Sequence, residues 1–275
     1  MPLIDDEGNL FGVVNVIDAL AVCLVVAVLV AGVAVVGALN DGNGTGGPET
    51  GDENNTSQQA TRYATIDLGT QPDYVAETVA EGDQVAVATE GHNLTLTDVY
   101  VSPTNGGDDG HVVVRAEIDG EYPPTDADET AFQFDNSSVR IGSDVAIDTA
   151  DYELEGTVQR LEEDGTTLRT ARTTVRLESN VSATTADAIE SGDEYRFAGR
   201  TVATVTDVTT TELDNSSAIA VDLEADLVTF DRAGTQTFGG RSLETGSRLT
   251  LRTERYDISG DLLRRGPSEP IDETD

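Results

Sequence analysis

The chain holds no tryptophan, no lysine, one cysteine and two histidines in 275 residues. Each scarcity removes a chemistry. Without lysine there is no P-loop lysine, Schiff base or Ser–Lys dyad. Cys23 alone cannot close an intrachain disulfide, and no second cysteine stands near a histidine to make a nucleophilic pair. His92, in a Gly-His-Asn turn, and His111, expected as a surface strand residue, are too few for a zinc site of three or four close ligands. No G-x-S-x-G elbow marks a serine nucleophile. Missing tryptophan also argues against a sugar-stacking cleft, and with 52 acids a suitably spaced carboxylate pair carries no information. Catalytic, cofactor and metal residues are therefore expected to be none, and the chain reads as a non-enzyme.

All 16 cations are arginine, and they leave a net charge of −36. A counterion-release footprint for DNA or RNA is absent, so no nucleic acid is expected as a partner. Spread acidity without lysine resembles proteins adapted to molar salt, where the Debye length falls to about 3 Å. Asp108 and Asp109, with Asp126 and Asp128, offer oxygen-rich loops for a cation such as Ca²⁺. They lack EF-hand spacing, so solvated acids are preferred.

One long apolar run is present. Ala19–Leu39 is 21 apolar or glycine residues, enough at about 1.5 Å per residue to cross a bilayer once. The stub 1–18 carries Asp5, Asp6 and Glu7 but no basic residue, unlike a signal peptide. Val36-Gly37-Ala38 keeps cleavage as the alternative to a retained anchor. Neither flank supplies the positive charge that sets orientation. The mass of the C-terminal side and its acceptor motifs at Asn43, Asn54, Asn55, Asn93, Asn136, Asn180 and Asn215 favour a body outside the cytoplasm, at the cell membrane. Asp18 reads as a helix-start residue, with pairing to a partner's membrane helix as the alternative. Cys23 reads as a small apolar filler within the run.

Residues 40–61 form a polar linker. Its Gly42-Asn-Gly44-Thr-Gly46-Gly47 matches G-x-G-x-x-G only formally, because no strand precedes it and no helix follows. Residues 266–275 read as a disordered acidic tail. The body between them repeats. Ser138–Gln159 aligns without gaps on Ser242–Leu263, matching Gly142 with Gly246, Thr149 with Thr253, Tyr152 with Tyr256 and Gly156 with Gly260. Upstream, Thr65-Ile-Asp-Leu68 resembles Thr174-Val-Arg-Leu177, Gly82-Asp83 resembles Gly192-Asp193, and Leu94–Val99 resembles Ala203–Val208. Two tandem modules follow, 62–165 and 170–265.

Apolar residues alternate with period two, as at Val112, Val114, Ala116 and Ile118, which predicts strands. Val145–Ile147 and Tyr152–Val158 predict a hairpin, repeated in the second module. Pro72 and Gly82 bracket one short helix, and Ser182 caps its counterpart before Gly192. Tyr152 and Tyr256 are expected to pack over Gly156 and Gly260. The fold class is mainly β: a single transmembrane helix, then two small sandwich or barrel modules with one helix each.

The opening Leu3-Ile-Asp5-Asp-Glu-Gly8-Asn-Leu-Phe11-Gly12-Val-Val-Asn15-Val-Ile-Asp18, followed at once by the apolar run, resembles domain-of-unknown-function family 4330. The hairpin Gly142-Ser-Asp-x4-Thr149-x2-Tyr152-Glu-Leu-Glu-Gly156 is also similar to that family's body. The resemblance implies a single-pass prokaryotic membrane protein and supplies no catalytic residues. The expected function is a membrane-anchored, non-enzymatic structural or interaction unit of the cell envelope. An accessory subunit of an envelope transport or secretion complex is the alternative. Its expected partners are the membrane through 19–39 and a membrane protein or a second copy.

Overall fold

The computed structural model describes residues 9–10, 14–15, 57–87, 92–104, 107–124, 131–135, 137–214 and 216–271. The chain divides into two units, 1–53 and 54–275. In the first, β1 (Asn9–Leu10) pairs antiparallel with β2 (Val14–Asn15). The predicted transmembrane run 19–39 lies outside the described residues, and among those residues no helix is long and apolar enough to cross a membrane.

The second unit is mainly β. Its first half runs β3 (Gln58–Pro72), helix α1 (Asp73–Thr78), β4 (Gln84–Val87), β5 (His92–Pro103), β6 (Asp109–Tyr122), β7 (Gln133–Phe134), β8 (Ser137–Ser138), β9 (Asp144–Asp148) and β10 (Glu153–Glu162). Sheet order is β3-β10-β9-β4-β5-β6-β7-β8, and β3 also pairs with β6. Six of these strands therefore close into an antiparallel ring, with β7 and β8 hanging from β6. The closure between β4 and β9 is a single pair, Ala86 opposite Asp148. The expected sandwich or barrel resolves here as a barrel.

The second half repeats the order: β11 (Thr170–Ser182), helix α2 (Ala183–Ala188), β12 (Glu194–Phe197), β13 (Arg200–Glu212), β14 (Ala218–Arg232), β15 (Thr235–Phe238), β16 (Arg241–Ser242), β17 (Arg248–Arg252) and β18 (Asp257–Pro270). Its strands lie in the order β12-β13-β14-β11-β18-β17, the same sequence of neighbours with no ladder joining β12 to β17.

The helices form where expected. Pro72 stands at the N-cap of α1, and the Ser182 hydroxyl caps α2 by accepting the Thr185 N–H at 3.1 Å. Two boundaries differ from expectation. β3 begins at Gln58, inside the predicted linker, where its ladder to β6 continues to Tyr122. β18 runs to Pro270, inside the predicted disordered tail, because Ser268, Glu269 and Pro270 pair with Thr173, Arg172 and Ala171. Pro267 is tolerated there because it falls at a register shift, where no donor is required.

A tight turn recurs four times. Gly82, Gly142, Gly192 and Gly246 occupy its third position at φ between +87° and +95°, where a side chain would be strained. In each copy the glycine N–H bonds a strand carbonyl: Leu96, Val158, Val205 and Leu262 at 2.7–2.8 Å. The same strand residue then returns its N–H to the carbonyl of Asp83, Ser143, Asp193 or Ser247 at 2.8–2.9 Å. Each module thus contains the turn twice, once before β4 or β12 and once before β9 or β17.

The core is one apolar cluster spanning both modules, including Ile66, Leu94, Val112 and Ile147 in the first and Leu177, Leu223, Leu227 and Leu262 in the second. A smaller cluster of Tyr100, Val113, Leu168 and Phe230 joins the two modules. Val113 sits on the opposite face of β6 from Val112 and Val114. The strand is therefore buried on both faces from Gly110 to Ala116.

Candidate functional site

The repeated tyrosines close the same network twice. Thr149 begins the β9–β10 turn, and its hydroxyl accepts the N–H groups of Asp151 and Tyr152 at 3.2 and 3.1 Å. Thr253 does the same for Arg255 and Tyr256. This presents each buried ring inward, and the Tyr152 hydroxyl donates to Asp83 at 2.8 Å while Tyr256 donates to Asp193 at 2.7 Å. Each aspartate also ties its own glycine turn, accepting the N–H of Ala80 or Glu190. Burial, followed by the bond to the neighbouring carboxylate, pushes both phenols up from their ordinary value.

The space beside Gly156 and Gly260 is taken by the neighbouring strand. A Cβ on Gly156 would lie 2.6 Å from Ile66 and Leu68 of β3, and one on Gly260 would lie 2.9 Å from the Glu178 carbonyl. The glycines make room for the neighbouring strand. Gly142 and Gly246 instead face open space and are required by their φ.

A polar cluster lies where the modules meet, and the sequence misjudged its centre. His111 is 7% exposed rather than a surface residue. Its Nε2–H donates to Asp67 Oδ1 at 2.9 Å, and Arg232 from β14 pairs with the other oxygen of Asp67. Burial opposes the Asp67 charge, but the bond from His111, the Gly69 N–H and Arg232 together hold its carboxyl below the usual value. Ser102 is opposite His111 in the β5–β6 ladder, so serine, histidine and aspartate stand on adjacent strands. They do not form a catalytic relay. The fully buried Ser102 hydroxyl accepts the Gly239 N–H at 2.9 Å, and His111 Nδ1 has no partner. Gly240 lies against the imidazole, where a Cβ would come within 2.8 Å. A nucleophile here would need serine aligned on the base and open to substrate.

Arg115, 1% exposed, clamps the connection between modules. It donates to Thr65 Oγ1, Asp164 O and Gly165 O and pairs with Glu162 at 2.9 Å, so every nitrogen of the guanidinium is engaged. Thr97 and Asp98 hold the same connection through Thr166 O and the Leu168 N–H, both at 2.6 Å. Across the joint, Tyr100 donates to the carbonyls of Val228 and Thr237. Arg200 reaches from β13 to the Val79 and Ala76 carbonyls at the end of α1.

The other expected positions are scattered. His92 opens strand β5 rather than lying in a turn, and Asn93 follows it in that strand. Asp108 pairs with Arg252 at 2.7 Å, Asp109 opens β6, and Asp126 and Asp128 lie outside the described residues. Among the described residues no group of three or more metal-ligating side chains converges. Asn180 is exposed on β11, while Asn43, Asn54, Asn55, Asn136 and Asn215 lie outside the described residues.

A family model described as Domain of unknown function (DUF4330) matches residues 1–162, ending with β10. No curated protein and no solved structure matches the chain.

Proposed function

We propose, for a chain that belongs to the DUF4330 family, a membrane-anchored, non-enzymatic role as a structural or interaction module of the cell envelope, in a cell adapted to high salt. The observation that carries this reading is that the polar groups best suited to chemistry are closed on one another. His111 with Asp67 and Arg232, Tyr152 with Asp83 and Tyr256 with Asp193 all serve the fold. The anchor rests on the length of Ala19–Leu39, and the high-salt setting on the charge of −36 without lysine.

Protease added to intact cells should remove the body and leave a fragment containing 19–39. Full protection until the cells are permeabilised would place the body in the cytoplasm and end the envelope reading. A second reading, an accessory subunit of a transport or secretion complex, is favoured by Asp18, a carboxylate at the head of the apolar run. Stoichiometric co-purification of a polytopic partner in mild detergent, lost in Asp18→Asn, would select it.

A further inference from the structure

Ten of the sixteen arginines form ion pairs among the described residues. That is the expected outcome where acids exceed cations more than threefold. Besides Arg172, the exposed Arg241, Arg264 and Arg265 depart from it, and these three have no carboxylate partner among the described residues. They gather at one corner of the second module. Arg264 and Arg265 line a recess of about 440 Å³ with Thr235, Ser242 and Thr245. Arg241 and Arg248 line an adjoining one of about 270 Å³ with Ser242 and Ser247. Ser242 and Leu243 form the shared wall. One acid, Glu244, stands on the rim, and Arg248 already pairs with Asp261 at 3.4 Å.

The repeat supplies an internal control. At the positions 104 residues earlier, the first module has Ser137 for Arg241, Asp144 for Arg248 and Leu161 for Arg265, and only Arg160 for Arg264 is the same. That arginine is used internally, bonding the Asp231 carbonyl at 3.3 Å and pairing with its carboxylate. The two corners share their backbone turn, so the fold itself does not call for the extra arginines. Planar guanidinium groups beside hydroxyl donors are the side chains that recognise tetrahedral oxyanions by paired hydrogen bonds.

We infer that this arginine corner, Arg241, Arg264 and Arg265 with Ser242 and Thr245, is a binding site for a phosphate group. The phosphate is either free in solution or the phosphodiester of a lipid headgroup; the second source alone rests on the membrane-anchored reading. The test is calorimetric titration of the full-length chain, in neutral detergent and molar KCl, with inorganic phosphate and separately with glycerophosphoglycerol. The native chain should bind at least one of them. Arg264→Gln/Arg265→Gln should weaken binding by about tenfold or more, the loss of charge-assisted hydrogen bonds. Arg172→Gln, at an exposed arginine of β11 outside both recesses, should not. Arg241→Ser, which installs the first module's own residue, provides a second variant should the double one fail to fold. Tighter binding of the diester upholds the site and assigns it to headgroups, and tighter binding of inorganic phosphate upholds it and assigns it to the free ion. Absence of binding to both, or equal binding by the native chain and the folded variants, overturns the site. Because the titration reads the corner directly, a cytoplasmic body in the protease experiment would leave its result standing.

Discussion

A single hydroxyl decides how much of each tyrosine's value is polar. Tyr256→Phe keeps the ring and removes only the bond to Asp193, which retains Arg255 and the Glu190 N–H. The expected cost is about 1 kcal/mol. Tyr256→Ala also removes a buried ring and should cost about 3–5 kcal/mol, enough to unfold its module. Denaturant titration followed by far-ultraviolet circular dichroism separates the two, and equal costs would mean that the hydroxyl carries the contribution. The recurrence of Tyr152 and Tyr256 was legible because both stand at one spacing from a glycine. Their partners were not legible, since Asp83 and Asp193 lie 69 and 63 residues away and a bond across the sheet leaves no local pattern. His111 was misjudged for a related reason. Alternation places it on the outer face of β6, and only the packing of the second module against that face buries it.

Among the elements, the four glycine turns set where each short strand begins. A Cβ at Gly246 would meet nothing within 4 Å, so its requirement is conformational alone. Gly246→Ala should cost about 1–2 kcal/mol, and Gly246→Asn less, because asparagine enters the left-handed region more readily. Thermal unfolding of the two variants ranks them, and equal midpoints would show that the turn adjusts. The hairpin β9–β10 and its copy β17–β18 were legible from spacing and from Thr-x-x-Tyr. The capped helix α2 was legible from Ser182, and both helices stop ahead of their glycine. Which strands neighbour which was not legible, because ring closure depends on pairings such as β3 with β6 that alternation does not specify. The end of β18 was misread from composition: prolines and acids suggest disorder, yet a register shift admits Pro267.

For the whole molecule, acid and salt should act separately. Asp67, Asp193 and Asp222 all have carboxyls held below the ordinary value of 3.8. For Asp67 and Asp193 burial opposes the shift and hydrogen bonds outweigh it. For Asp222 the bond from Arg176 comes first. A depressed native value contributes stability that is complete above the unfolded value and disappears as pH falls through the native one. In molar KCl the unfolding midpoint should therefore hold level from neutrality to about pH 4 and drop below it. At neutral pH it should fall on dialysis to dilute buffer, as the repulsion of 36 net charges is unscreened. Full circular dichroism in dilute buffer would contradict the high-salt adaptation. The recurring glycine turn has an ancestral consequence. In the first ring, exchanging β3 with β6, β4 with β9 and β5 with β10 reproduces the neighbour order, so each module is itself two similar halves. A primordial chain of a single half would leave β3 without a neighbour and β4 and β5 with one open edge each, and two such chains could complete one ring between them. The present body then reads as a homodimer fused end to end and copied once more.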